Sequence, residues 1–236
     1  MDIQKIGNIT PYPFQQEIID AIKNNIREQW QEIKDGKKQY FDPCLVEAYV
    51  SAGKTIIIGA IANHANKVGA NTMVLARTGE LVDQNSNECW NMDAKNSIFS
   101  ASAGVKSTRY KTIVGTEGTV SNALNKQLKD WCPHIVLIDE CHEVSWREVM
   151  ELLKNPGYET KNQYAHILSR FIRMNPKVAI IGVTGTPYRG TESIMGHFWK
   201  DKIGPRIDRE FLVDNGYIVP TVFGKNTVEY DMSQWD

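Results

Sequence analysis

The segment Ala48-Tyr49-Val50-Ser51-Ala52-Gly53-Lys54-Thr55 carries the clearest chemistry in this chain. It lies between a β-rich run and the helix-forming run that begins Ile56-Ile57-Ile58, so a strand ends and a helix begins there. Small residues at such a junction let successive backbone N–H groups turn inward on a phosphate, at a helix N-terminus whose partial positive charge favours an anion. Ser51, Ala52 and Gly53 supply the small residues, and Lys54 a point charge for the β- and γ-phosphates of ATP. Thr55 is the hydroxyl expected on Mg2+. The pattern is that of a P-loop with Ala48 in place of the first glycine. A chance Gly-Lys-Thr in a turn is the plain alternative.

A second constellation follows in His134-Ile135-Val136-Leu137-Ile138-Asp139-Glu140-Cys141-His142, an apolar strand ending in two carboxylates. Sites in open α/β sheets form at the carboxyl ends of strands. Asp139 is suited to hold Mg2+, and Glu140 to orient and deprotonate an attacking water. An acidic helix start favoured by the helix dipole is the structural alternative.

The elements that must position these residues can be read from periodicity. Ile18, Ile22, Ile26, Trp30 and Ile33 recur at nearly helical spacing and predict a first helix held off by Pro11 and Pro13 until Phe14. Short β-rich runs then follow at Leu45–Val50, Thr72–Ala76, Thr112–Gly115, Ile135–Ile138 and Val178–Val183. Between them Thr55–Val68, Glu80–Trp90, Thr119–Trp131, Trp146–Leu153 and Lys161–Met174 read as helices. This alternation predicts an α/β fold, a doubly wound parallel sheet covered on both faces. A last helix is expected over Ile207–Asn215, closed by Gly216 as a C-cap glycine.

With the motifs in place, the chain resembles the first RecA-like domain of superfamily 2 helicases and translocases. Asp139-Glu140-Cys141-His142 is similar to the DExH box of that superfamily, and the other motifs fall in its order. Phe14-Gln15-Gln16-Glu17 resembles the Q-motif, which implies that Gln15 reads adenine. Leu75 to Gln84 resembles motif Ia, implying Arg77 as a phosphate contact, with its arginine one place earlier than usual. Ile113-Val114-Gly115-Thr116 resembles the next nucleic-acid-contacting motif, implying Thr116. Thr184-Gly185-Thr186-Pro187-Tyr188-Arg189 resembles motif III in the form found in motors of type I and type III restriction enzymes, with Gly185 where alanine is usual. The resemblance gives His142, Thr184 and Thr186 the task of coupling the ATP site to that motif. On the residues alone, His142 could be a helix-end histidine, Thr184 and Thr186 turn caps, and Arg77 a surface arginine. Trp131, Trp146 and Trp199 could stack on bases, but packing is the commoner role and none is assigned there.

Composition excludes several classes. At 236 residues the chain has room for one full α/β domain and hardly for two. Lys and Arg number 27 against 28 Asp and Glu, net −1, so any surface for nucleic acid must be local. The four cysteines, Cys44, Cys89, Cys132 and Cys141, form neither a CxxC pair nor a zinc-spaced cluster, so reduced thiols are expected. No leader-like or membrane-spanning run is apparent, and the expected location is cytoplasmic.

The boundaries expected are 1–40 for the N-terminal helix with its Q-motif-like element, 41–222 for the RecA-like P-loop NTPase domain, and 223–236 for a tail leading toward an absent second RecA-like domain. The reading is therefore the ATP-binding N-terminal part of an ATP-dependent motor, a weakly active ATP hydrolase by itself. Its expected partners are single- or double-stranded DNA, or RNA, with Lys54 and Glu140 catalytic. Two alternatives stay open: a packaging-type P-loop motor, which needs neither Gln15 nor the Thr-Gly-Thr-Pro motif, and an idle binder of nucleic acid or of a partner motor.

Overall fold

The computed structural model describes residues 5–220, and the tail expected at 223–236 lies outside them. Helix α1 (Pro13–Lys34) starts one residue earlier than the sequence predicts, with Pro13 at its first position, where a missing N–H costs nothing. The chain then alternates: β1 (Cys44–Glu47), α2 (Lys54–Lys67), β2 (Thr72–Ala76), α3 (Gly79–Asn91), β3 (Asn96–Ser100), β4 (Val105–Lys106) and β5 (Thr112–Thr116). After these come α4 (Glu117–Ala123), β6 (Ile135–Asp139), a 3-10 turn at Cys141–Glu143, α5 (Trp146–Lys154), α6 (Gln163–Met174) and β7 (Ala179–Thr184). A small hairpin of β8 (Tyr188–Arg189) and β9 (Glu192–Ser193), an edge strand β10 (Asp201–Lys202) and α7 (Arg209–Asp214) complete the described chain.

Eight strands form one sheet in the order β10-β1-β7-β6-β2-β5-β3-β4, parallel throughout except the β3–β4 pair. Alternate residues of each strand feed two separate cores. Val46, Val74, Val114, Leu137 and Ile181 pack on the face covered by α1 and α2. Leu45, Met73, Ile113, Val136 and Ile180 pack with residues of α5 and α6 on the other. This period-two division is what a strand buried on both faces requires. Helix α2 carries the run Ile56-Ile57-Ile58, which has poor helix propensity, but Ile57 to Ala62 are buried and packing outweighs propensity.

Three expectations need correction. Strand β1 ends at Glu47 rather than Val50, because the backbone turns off there into the loop and leaves Val50 exposed. Helix α4 stops at Ala123 instead of Trp131; hydrogen-bonded turns carry the chain on and keep Leu124 and Leu128 buried, so the apolar spacing is satisfied without a helix. Strand β3 and the short strands β4, β8, β9 and β10 were not expected. In β3, Asn96 and Ser97 are buried polar residues bonded to Ser86 and to the Tyr110 backbone, which hides the strand from an apolar-run reading.

Candidate nucleotide site and its couplings

The site grows from the carboxyl ends of β1, β7 and β6, three adjacent strands. Their register sets Glu47 opposite Thr184 and Asp139 opposite Val183, so the loop after β1 and the acidic pair after β6 emerge on either side of Thr184. The loop is fixed by its backbone: Ala48 N–H donates to Thr184 O at 2.9 Å, Tyr49 N–H to Ile207 O at 2.8 Å, and Ala52 N–H to Tyr49 O at 3.0 Å. Ala48 is fully buried and keeps strand-like pairing with Ile207, so its methyl group is accommodated in the core where the P-loop pattern has glycine.

Ser51 (φ 73°) and Gly53 (φ 75°) are both left-handed, and Gly53 is the N-cap of α2. Left-handed residues of this kind occur in anion nests, in which backbone N–H groups turn to one side. A side chain at Gly53 would also run into the Gln15 amide. Gly185 faces the loop backbone as well: a Cβ there would meet Ala48 O at 3.2 Å and Tyr49 Cα at 3.3 Å, so the usual alanine would be tight.

Gln15 is 1% exposed and braces this loop. Its Nε2 donates to Ala52 O at 2.9 Å, and its Oε1 accepts from Tyr12 N–H at 2.8 Å. Both ends of the amide are thus engaged by backbone, beside the half-exposed Tyr12 ring, which packs on Tyr217 at 4.8 Å.

Across the loop, Glu140 adopts φ 55° and ψ 53°, uncommon for a residue with a side chain. That turn brings its carboxylate onto Lys54, whose ammonium forms a short ion pair with Glu140 Oε1. Asp139 is buried, and Asn85 of α3 donates to its Oδ2 at 3.1 Å. Burial raises its pKa above the ordinary value, opposed by the Asn85 hydrogen bond and the Lys54 charge. Asp139 Oδ1 is buried with no hydrogen-bond partner. A lone carboxylate oxygen next to a P-loop suits a hard divalent cation, so Asp139 and the Thr55 hydroxyl fit Mg2+. No cluster of three or more His, Cys, Asp or Glu that could hold a metal occurs among the described residues.

Thr184 is fully buried and ties the pieces together. Its Oγ1 lies 2.8 Å from His142 Nδ1, 3.4 Å from Glu140 Oε2 and 3.2 Å from Thr186 O, and accepts from Thr186 N–H at 3.1 Å. Thr186 Oγ1 stands off at 3.5 Å from His142 Nδ1. The residues singled out by sequence for phosphate, water activation and coupling therefore converge: Lys54, Glu140, His142 and Thr184 form one connected network, with Asp139 and Gln15 bordering it.

Arg77 and Thr116 lie apart from that network, on the wall of a cavity of about 330 Å³ shared with Ser102, Lys106, Thr119 and Asn122. Arg77 is well exposed and donates to Glu143 Oε1 at 2.6 Å. Thr116 is only 7% exposed, its hydroxyl donating to Thr119 Oγ1 at 2.9 Å.

Two residues were missed. Asn85 falls in line with Val82 and Cys89 on the buried face of α3, and a polar residue in an apolar stripe was a readable signal. Glu143, the partner of Arg77, follows the DExH box by one position and carried no signal of its own.

A family model described as "Type III restriction enzyme, res subunit" (ResIII) matches residues 8–189. Among solved structures, the UvsW helicase from bacteriophage T4 is 18% identical with a TM-score of 0.53, over 84% of this chain and 61% of that one. The ATP-dependent type ISP restriction-modification enzyme LlaBIII, solved bound to DNA, is 12% identical with a TM-score of 0.54, over 87% of this chain and 16% of that one. A nuclease-deletion mutant of the type ISP enzyme LlaGI, solved with a DNA substrate mimic, gives 11% and 0.56 over 87% and 20%. These likenesses establish the fold, a RecA-like α/β domain, and this chain spans less than two thirds of each of those structures. No curated protein matches the chain.

Proposed function

Because the chain belongs to the ResIII family, that of the type III restriction enzyme res subunit, we propose that it is the ATP-binding N-terminal domain of a motor that couples ATP hydrolysis to movement on DNA. The observation that carries this reading is the meeting of Lys54, Glu140, His142 and Thr184 at the ends of three adjacent strands, beside a P-loop. The backbone nest at Ser51 and Gly53 holds the phosphates, and Lys54 supplies their countercharge. Thr55 and Asp139 would hold Mg2+, which would supply positive charge against the β- and γ-phosphates. Glu140 takes the proton of the attacking water once Lys54 turns to phosphate, and Gln15 keeps the loop in register for the nucleotide. His142, Thr184 and Thr186 pass the state of the site to the hairpin β8–β9 that follows them.

Residues 41–222 make up the ATP-binding domain in this reading and residues 1–40 its N-terminal brace, while residues 223–236 lie outside the described residues. Arg77 and Thr116 border the path of a phosphodiester backbone, DNA or RNA. No helix among the described residues is long and apolar enough to cross a membrane.

Phosphoryl transfer at such sites develops negative charge around the transferred phosphoryl group, and an arginine supplied from outside the P-loop domain to neutralise it is worth about 10³–10⁵ in rate. Residues 1–236 alone should therefore bind ATP and hydrolyse it slowly, and a chain extended by a second RecA-like domain should turn over orders of magnitude faster, with DNA dependence. Steady-state phosphate release from both, with and without single- and double-stranded DNA, decides between them. Brisk DNA-stimulated hydrolysis by residues 1–236 alone would refute the half-site reading. Nucleic-acid binding without any ATP binding would support an idle binder instead.

A further inference from the structure

A line of charged and polar side chains, interrupted by one gap of 3.8 Å, runs between the two surfaces just described. Arg77 Nη1 lies 2.6 Å from Glu143 Oε1, and the same oxygen lies 3.8 Å from His142 Nε2. His142 Nδ1 is in turn 2.8 Å from Thr184 Oγ1 and 3.3 Å from Glu140 Oε2, whose other oxygen holds Lys54. From the first of these links to the last, the line crosses from motif Ia to the P-loop. Glu143 stands at its middle, one carboxylate oxygen placed between a surface guanidinium and a buried-side imidazole.

We propose that Glu143 is a positioning residue that couples occupancy of Arg77 by a nucleic-acid phosphate to the state of Glu140. This rests on the functional reading above, in which Arg77 meets the phosphodiester backbone and Glu140 is the base. The guanidinium prefers a fork-like partner, and a phosphate competes for it as effectively as a carboxylate does. While Arg77 holds Glu143, the gap of 3.8 Å to His142 Nε2 is too long for a hydrogen bond. Once phosphate takes Arg77, Glu143 closes on Nε2–H and fixes the imidazole with Nδ1 as acceptor. The single Thr184 proton, which has His142 Nδ1, Glu140 Oε2 and Thr186 O within reach, is then drawn to Nδ1. Glu140 Oε2 is left without a competing donor and is free to take a water proton. The device has two discrete arrangements, so either ligand biases it toward one of them.

Reciprocity makes this testable without measuring turnover, because a nucleic acid that changes ATP affinity must have its own affinity changed by the same factor. The dissociation constant of a non-hydrolysable ATP analogue with Mg2+ is measured on residues 1–236 with and without a saturating mixed-sequence DNA or RNA oligonucleotide. We expect a change of about fivefold or more, the lower range of measured coupling. In Glu143→Gln, both ligands should still bind while the factor falls to near one. Arg77→Gln removes the guanidinium that the phosphate takes, so it should weaken nucleic-acid binding and also bring the coupling factor to near one, and the double variant should show the same factor as Glu143→Gln, with a thermal melt of each variant to confirm folding. Coupling absent in the unaltered chain although both ligands bind, or undiminished in Glu143→Gln, overturns this inference alone. Failure of the unaltered chain to bind either ligand overturns the functional reading and this inference with it.

Discussion

In the absence of nucleotide, Glu140 competes with phosphate for Lys54, so Glu140→Gln should tighten ATP binding while abolishing hydrolysis. The magnitude follows from the setting of the pair. The Lys54 side chain is 11% exposed and that of Glu140 29%, which places the pair between a fully exposed ion pair, worth about 0.2–1 kcal/mol, and a charge-assisted hydrogen bond, worth about 1.5–3 kcal/mol. Taking about 1–1.5 kcal/mol as the competition removed, affinity should rise about five- to tenfold. Lys54→Ala removes the contact to phosphate itself and should weaken binding roughly ten- to hundredfold. In that background Glu140→Gln should have no further effect, because the residue it competes through is gone. Titration with a fluorescent ATP analogue in Mg2+ across the four proteins measures all of this, with thermal melts to confirm folding. Glu140→Gln that binds ATP more weakly than the unaltered chain, or a gain that survives in Lys54→Ala, would show that the pair is no brake on the site.

Other consequences concern the frame around the site. Asp139 has a raised pKa because burial disfavours its charge, so the penalty is absent below the ordinary value of 3.8, grows as pH rises above that value, and is complete above the raised folded value. Asp139→Asn should therefore melt higher than the unaltered chain at pH 7 in metal- and nucleotide-free buffer, by about 2–4 °C for each 1 kcal/mol relieved, with the gap closing toward pH 4. A lower melting point at pH 7 would contradict it. Asn85→Ala strips Asp139 Oδ2 of its donor and should cost about 1–3 kcal/mol in urea unfolding, together with weaker Mg2+-dependent ATP binding. At Gly182 a Cβ would meet Cys141 Sγ at 2.5 Å and the Trp199 ring at 2.7 Å. Gly182→Ala should thus lose about 1–3 kcal/mol and lower ATP affinity by displacing the turn that carries Glu140, as read from paired unfolding and binding curves.

The sheet and most of the site were legible because their signals are local. Apolar runs such as Thr72–Ala76 and Ile135–Ile138 read as strands buried on both faces, and the acidic pair follows the second of them as the P-loop follows β1. What escaped depends on partners distant in sequence. Strand β3 hides because Asn96 and Ser97 satisfy each polar group inside the fold, so burial there needs no apolar residue. Glu143 acquires a role only when β2 and β6 stand side by side and bring Arg77 within 2.6 Å of it. Thr116, expected at the nucleic-acid surface, is a local case instead: it lines the cavity beside Arg77, and its hydroxyl donates to Thr119, three residues on in the first turn of α4.

In the proposed ATP site, one P-loop, one buried aspartate and one glutamate in a left-handed turn act together. A structure of this chain with a non-hydrolysable ATP analogue and Mg2+ tests it most directly. The β- and γ-phosphates should lie against Lys54 and the Ser51–Gly53 backbone, the metal beside Thr55 and Asp139 Oδ1, and the Lys54–Glu140 pair should be opened so that Glu140 faces the γ-phosphate. Nucleotide bound elsewhere, or bound here with Lys54 still held by Glu140 and no metal at Asp139, would contradict it.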